Sequence, residues 1–164
     1  MPQGSSNVHI RHRLKPGDLG TIVHLHGVLY AREHGLDTTF EPYVAKPLAD
    51  FVLSGSGRLW IAEQEGRIVG SIALVDAGPG TGQLRWFLVV PEARGMGLGQ
   101  RLLEQALAYA RQRGFARIYL WSFVTLTDAL RLYERAGFKT TETKTSAIWG
   151  AERTEVRMDL VLPS

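Results

Sequence analysis

The chain has no cysteine. That excludes structural disulfides, thiolate zinc sites, iron-sulfur clusters and a cysteine nucleophile together. No apolar run approaches the roughly 20 residues that a membrane-spanning helix needs. The opening, Met1 to Val8, is polar and lacks the basic-then-apolar order of a signal peptide. A soluble, cytoplasmic protein with no membrane partner is expected. Strong charge of one sign is also missing, because 19 basic residues face 16 acidic ones and the two are spread along the chain. Nucleic-acid binders concentrate cations on one face, and neither that pattern nor a helix-turn-helix is present, so no nucleic acid is expected. His24 and His26 lie two apart on a helix, and His9 and His12 fall on opposite faces of a strand, so the histidines suggest no metal site.

What is present is 164 residues, 45% of them hydrophobic, without repeats or long linkers, enough for one α/β domain over 1–164. Residues 1–7 are expected to form a flexible tail. Val8, Ile10 and Leu14 mark a weak first strand. The Pro16-Gly17-Asp18 turn starts a helix that runs to His34 and stops at Gly35. A second helix spans Phe40 to Leu53, with Pro42 and Pro47 limiting its regularity. Arg58–Glu63 and Arg67–Val75, joined by Glu65-Gly66, read as a hairpin. Gln83–Val90 is apolar enough to be a third strand of this meander, buried on both faces. Leu98, Leu102, Ala106 and Ala110, widened by Leu103 and Leu107, give an amphipathic helix ending near Gly114. A strand (Ala116–Ser122), a helix (Thr127–Ala136) and two closing strands (Phe138–Trp149 and Thr154–Val161) follow.

The most informative stretch joins the third meander strand to that amphipathic helix: Val90-Pro91-Glu92-Ala93-Arg94-Gly95-Met96-Gly97-Leu98-Gly99-Gln100. Three glycines in five residues uncover backbone N–H groups at a helix N-terminus, where unpaired donors and the helix dipole favour a phosphate. Arg94 adds charge beside them. A Walker loop is excluded, since Gly97-Leu98-Gly99 runs into Gln100 and Arg101 without the Lys-Ser/Thr ending. A dinucleotide fingerprint fails too, with Gln100 where its third glycine should stand and no acid at the next strand end.

This loop after a strand ending in Val-Pro, together with Leu132-Tyr133-Glu134-Arg135-Ala136-Gly137-Phe138 about 40 residues on, resembles the GCN5-related N-acetyltransferase (GNAT) superfamily over nearly the whole chain. More narrowly, Leu29-Tyr30-Ala31-Arg32-Glu33, Arg85-Trp86-Phe87-Leu88 and Tyr119-Leu120-Trp121 are similar to the acetyltransferase half of MarR-type regulator fusions. The resemblance implies a mixed, mostly antiparallel sheet of six to seven strands with about four helices, splayed between the fourth and fifth strands. It implies acetyl-CoA as cosubstrate and a primary amine as acceptor, joined by direct attack in a ternary complex. A non-catalytic acyl-CoA sensor or regulatory module is the alternative, and a homodimer through the edges of the closing strands is open.

By the same resemblance, backbone groups of Leu88, Val89 and Val90 hold the pantetheine arm, and the Val90 N–H faces the thioester oxygen. Amides of Arg94, Gly95, Met96, Gly97, Leu98 and Gly99 hold the diphosphate, with polar contacts from Gln100 and Arg101. Tyr133, a phenol protonated at neutral pH, suits protonation of the departing thiolate and contact with the coenzyme; packing in the Leu126–Ala136 stripe is the other reading. The central strand has no acid, so base or amine-binding groups are sought on the first helix and its loop. Glu33 and His34 are candidate bases, and Tyr30, Glu33 and Asp37, with Trp86 and Trp121, are candidates for the acceptor cleft. Seven residues before Tyr133 the family often carries an Asn that bonds the pantetheine arm, where this chain has Leu126.

Overall fold

The computed structural model describes residues 7–163. Apart from Asn7, the tail expected at 1–7 lies outside the described residues. Along the chain run β1 (His9–Arg11), α1 (Asp18–His34), α2 (Phe40–Ser54), β2 (Arg58–Gln64), β3 (Arg67–Asp76) and β4 (Thr81–Val89). Then come α3 (Leu98–Gln112), β5 (Arg117–Phe123), α4 (Thr127–Arg135), β6 (Lys139–Ile148) and β7 (Ala151–Val161). The strands form one seven-stranded sheet in the order β1-β2-β3-β4-β5-β7-β6. Neighbours are antiparallel except β4 and β5, which are parallel. This is the mixed, mostly antiparallel α/β class expected.

Local chemistry explains the helix limits. Gly35 ends α1 in the left-handed region, its N–H reaching the carbonyls of Ala31 and Tyr30. α2 runs unbroken through Pro47 and is more regular than its prolines predict, because Pro42 sits in the first turn, where no N–H is needed. α3 buries Leu98, Leu102, Leu103, Ala106, Leu107 and Ala110, the stripe its spacing predicts. That stripe packs with Ile72, Leu74, Leu84, Leu88 and Leu120 in one core cluster. On the other side of the sheet Ile22, Phe40, Val44 and Leu48 meet Leu59, Ile61, Ala73 and Trp86.

β4 departs from the expectation of burial on both faces. Its residues alternate between buried and half-buried, because one side of the strand borders an open cleft. It also carries one extra residue: Ala73 faces Arg85 while Ser71 faces Leu88, and Trp86 takes a left-handed φ of 51°. This is a β-bulge. The buried Ser71 hydroxyl donates to the Trp86 carbonyl at 2.7 Å, giving a partner to an oxygen that the bulge takes out of the ladder. β4 then pairs with β5 only over Thr81–Gln83 against Arg117–Tyr119. β5 stays with β7 along its whole length. The two central strands therefore part beyond Gln83, as the expected splay requires.

Candidate active site

The cleft between the splayed strands has a volume of about 660 Å³, within the usual range for a small-molecule site. At one end lies the N-terminus of α3. Gly95 and Gly97 have φ of 83° and 77° with open space where a side chain would project. Among the described residues, the amides at positions 95–100 donate to no protein acceptor. Arg101 differs, since its N–H already bonds the Gly97 carbonyl at 3.0 Å. A Cβ on Gly99 would lie 3.3 Å from the Phe87 ring, so that glycine lets the helix approach β4 closely. The row of free N–H groups at a helix N-terminus fits a diphosphate. Met96 and the side chains of Gln100 and Arg101 do not line the cleft; Gln100 bonds Glu104 at 3.1 Å instead.

The β4 backbone corrects the expectation for Leu88 and Val90. The Val90 N–H donates to the Val69 carbonyl at 2.9 Å and so cannot face a thioester oxygen. Leu88 is the register partner of Ser71, and antiparallel alternation turns its backbone groups toward β3 as well. Phe87 and Val89 therefore present theirs to the gap beside β5. The resemblance implies contacts at Leu88 and Val90, one residue away from where the alternation along β4 puts them. The Val89 carbonyl accepts a hydrogen bond from Arg94 Nε at 2.9 Å.

Glu33 is also differently placed from a free base. Arg94 grips its carboxylate with two hydrogen bonds of 2.7 and 2.9 Å, and that contact holds the carboxyl below its ordinary range. A carboxylate so held is a poor proton acceptor. His34 lines the cleft beside Tyr30 and Phe123, and burial pushes its imidazole below the ordinary value, so it is neutral at pH 7. Tyr133 is buried against Phe87 and Phe138 yet lines the cleft, and no described residue hydrogen-bonds its hydroxyl. Burial raises the phenol well above its usual range, so it carries its proton. Leu126, at the N-cap of α4, lines the cleft and offers no side-chain hydrogen bond.

On the α1–α2 side the cleft becomes an aromatic chamber. Tyr30 stacks on Phe40 at 4.9 Å, and Phe40 and Tyr43 meet Trp149 at 5.1 and 4.9 Å. Trp86 and Trp121 both line it, the latter under Lys144 at 5.3 Å. Asp37 does not. Its exposed carboxylate bonds the Thr39 amide and hydroxyl, just ahead of α2. Phe40, Tyr43, Arg85, His26 and Glu155 line the cleft without having been expected there, and Trp149 lines it too. A cation inside an apolar strand was the readable signal for Arg85. Trp149 arrives from the far end of the chain. It forms with Gly150 a two-residue hairpin turn, both with positive φ, whose Trp149 carbonyl accepts the Asp37 N–H at 3.0 Å. Arg153 ties the same hairpin to the carbonyls of His34 and Gly35 at 3.2 Å.

Comparison with known proteins agrees with this geometry. Residues 25–138 match the model of the acetyltransferase (GNAT) family. An uncharacterised N-acetyltransferase of Schizosaccharomyces pombe is 32% identical over 117 residues, covering 69% of this chain and 72% of the relative. An acetyltransferase of Streptococcus agalactiae superposes with a TM-score of 0.77 at 27% identity, over 95% of this chain and 99% of that one. The Salmonella typhimurium protein yncA, solved with its cofactor acetyl-CoA, shares the fold with a TM-score of 0.72 at 22% identity, over 96% and 95% of the two chains. Splayed central strands, free amides at the head of α3 and the matched family model lead to one conclusion: the chain belongs to the acetyltransferase (GNAT) family.

Proposed function

We propose that the chain moves an acetyl group from acetyl-CoA to a primary amine by direct attack within a ternary complex. The observation that carries this reading is the row of unpaired amides at 95–100, of which Gly95, Gly97, Leu98 and Gly99 line the cleft between β4 and β5. Those amides take the diphosphate. The backbone groups of Phe87 and Val89 that face the gap take the pantetheine arm as an added strand, and an N–H of this pair polarises the thioester carbonyl. Acetyl-CoA supplies the activated acyl group.

The amine nitrogen bonds to the acyl carbon, and the carbon-sulfur bond then breaks. The Tyr133 hydroxyl gives its proton to the departing sulfur. His34, neutral and lining the cleft, takes the proton that the amine loses. Glu33, bound to Arg94, fixes the inner wall rather than moving protons. Tyr30, Trp86 and Trp121 shape the acceptor side. Retention of the cleft-lining Tyr133 favours an enzyme over a sensor.

We also propose a relation to the acetyltransferase half of MarR-type fusions, on the segments Leu29–Glu33, Arg85–Leu88 and Tyr119–Trp121. A cytoplasmic location is part of this proposal, supported by the lack of cysteine. The exposed edge strand β6 is the surface on which two copies would pair. The experiment for the catalytic reading is thiol release from acetyl-CoA with a panel of amines. Amine-dependent release is expected; binding of acetyl-CoA without turnover on any amine would leave the sensor.

A further inference from the structure

Arg85 is the cleft residue whose chemistry the acetyl-transfer reading does not use. It sits on β4 next to the bulge, half-buried, and projects to the α1–α2 side, where its guanidinium lies 4.8 Å from the Trp86 ring centroid and 5.8 Å from that of Tyr43. Among the described residues it has no carboxylate or carbonyl partner. Of the other arginines that line the cleft, Arg94 holds Glu33 at 2.7 Å and Arg131 is 3.8 Å from Asp128, while Arg135, on α4, has no carboxylate partner among the described residues. The acids of the cleft are likewise neutralised, Glu33 by Arg94 and Glu155 by Lys144 at 3.7 Å. The positive field of Arg85 is therefore not cancelled by a neighbour.

A guanidinium that is stacked on rings has its plane fixed and its N–H edge free, the arrangement that receives a planar anion with two parallel hydrogen bonds. Leaving such a cation partly desolvated and unpaired is costly, and an anionic ligand removes that cost. Around it, Phe40, Tyr43, Trp86 and Trp149 supply apolar surface, and Tyr43 is 47% exposed, so its ring has room to cover something more. The chamber thus combines one unanswered cation with aromatic walls.

We propose that Arg85 binds the carboxylate of the amine acceptor, which makes the acceptor a small amino acid with an apolar or aromatic side chain. This rests on the acetyl-transfer reading above and narrows its acceptor. The carboxylate seats on the guanidinium, the side chain lies among the rings, and the amine is left to reach the gap between β4 and β5.

The test compares acceptors that differ only in the carboxylate: L-phenylalanine against phenethylamine, and L-methionine against 3-(methylsulfanyl)propylamine. One charge-assisted contact predicts kcat/KM about tenfold to a hundredfold higher for the amino acids. In R85Q that ratio falls toward one, and R85K keeps part of it. The rise in melting temperature with acetyl-CoA, retained in R85Q, shows that the fold and coenzyme site survive. Equal use of each pair by the wild type, or an unchanged ratio in R85Q, overturns the carboxylate assignment while amine-dependent thiol release still stands. Absence of release with every acceptor, with acetyl-CoA still bound, overturns the assignment together with the catalytic reading.

Discussion

At the scale of single residues, Tyr133 and His26 show two outcomes of burying a titratable ring. Tyr133 keeps its proton because burial penalises the phenolate, which suits a donor to a departing thiolate. Replacing it with Phe keeps the ring packing against Phe87 and Phe138 and removes the proton. Steady-state kinetics should show kcat lower by about a hundredfold or more, with acetyl-CoA affinity near wild type. An unchanged rate would return Tyr133 to a packing role. His26 is 3% exposed and bonds the Ile22 carbonyl through Nδ1 at 2.9 Å, while its buried Nε2 has no hydrogen-bond partner among the described residues. Burial pushes its pKa down to about 4 from 6.5, so between those values the unfolded chain binds a proton that the folded one refuses. Stability therefore falls as pH drops through this window, by about 3 kcal/mol in all. Urea unfolding at pH 7 and pH 4 should show a smaller loss in His26→Gln than in wild type.

Among the elements, β4 does the most to set the site, and its bulge is where sequence and structure part. Ser71→Ala leaves the buried Trp86 carbonyl unpaired, and chemical denaturation should find the variant less stable by about 1–3 kcal/mol. α3 was legible because its evidence is local: a 3.6-residue apolar stripe after glycines that leave amides uncovered. The hairpins were legible from alternation and turn residues. The bulge was not, because Arg85-Trp86-Phe87 contains no glycine to mark a left-handed backbone, yet Trp86 adopts one. The family resemblance implied an outward-facing amide at Val90, which in fact bonds β3. The Glu33–Arg94 pair was hidden for a different reason. Its partners lie 61 residues apart, and nothing in either local pattern points to the other. That pair is a link between α1 and the coenzyme loop rather than a large stabiliser, because a half-exposed ion pair contributes only about 0–1 kcal/mol.

For the whole molecule, the two halves of the cleft differ in how far along the chain their parts are gathered. The coenzyme half draws on β4, the loop, α3, β5 and α4, successive pieces between Thr81 and Arg135. A ligand held there by the folded state alone raises stability by mass action. Acetyl-CoA at a hundred times its Kd should add about 2.7 kcal/mol and several degrees to the melting temperature, read by thermal denaturation. No shift would remove the coenzyme assignment. The acceptor half closes only when the Trp149-Gly150 turn settles on Asp37, a contact across more than a hundred residues. Synthesis from the N-terminus therefore completes the segments of the nucleotide half before the outer wall of the amine chamber has been made. A chain interrupted after α4 would carry every segment of the nucleotide half and lack the outer wall of the chamber for the amine.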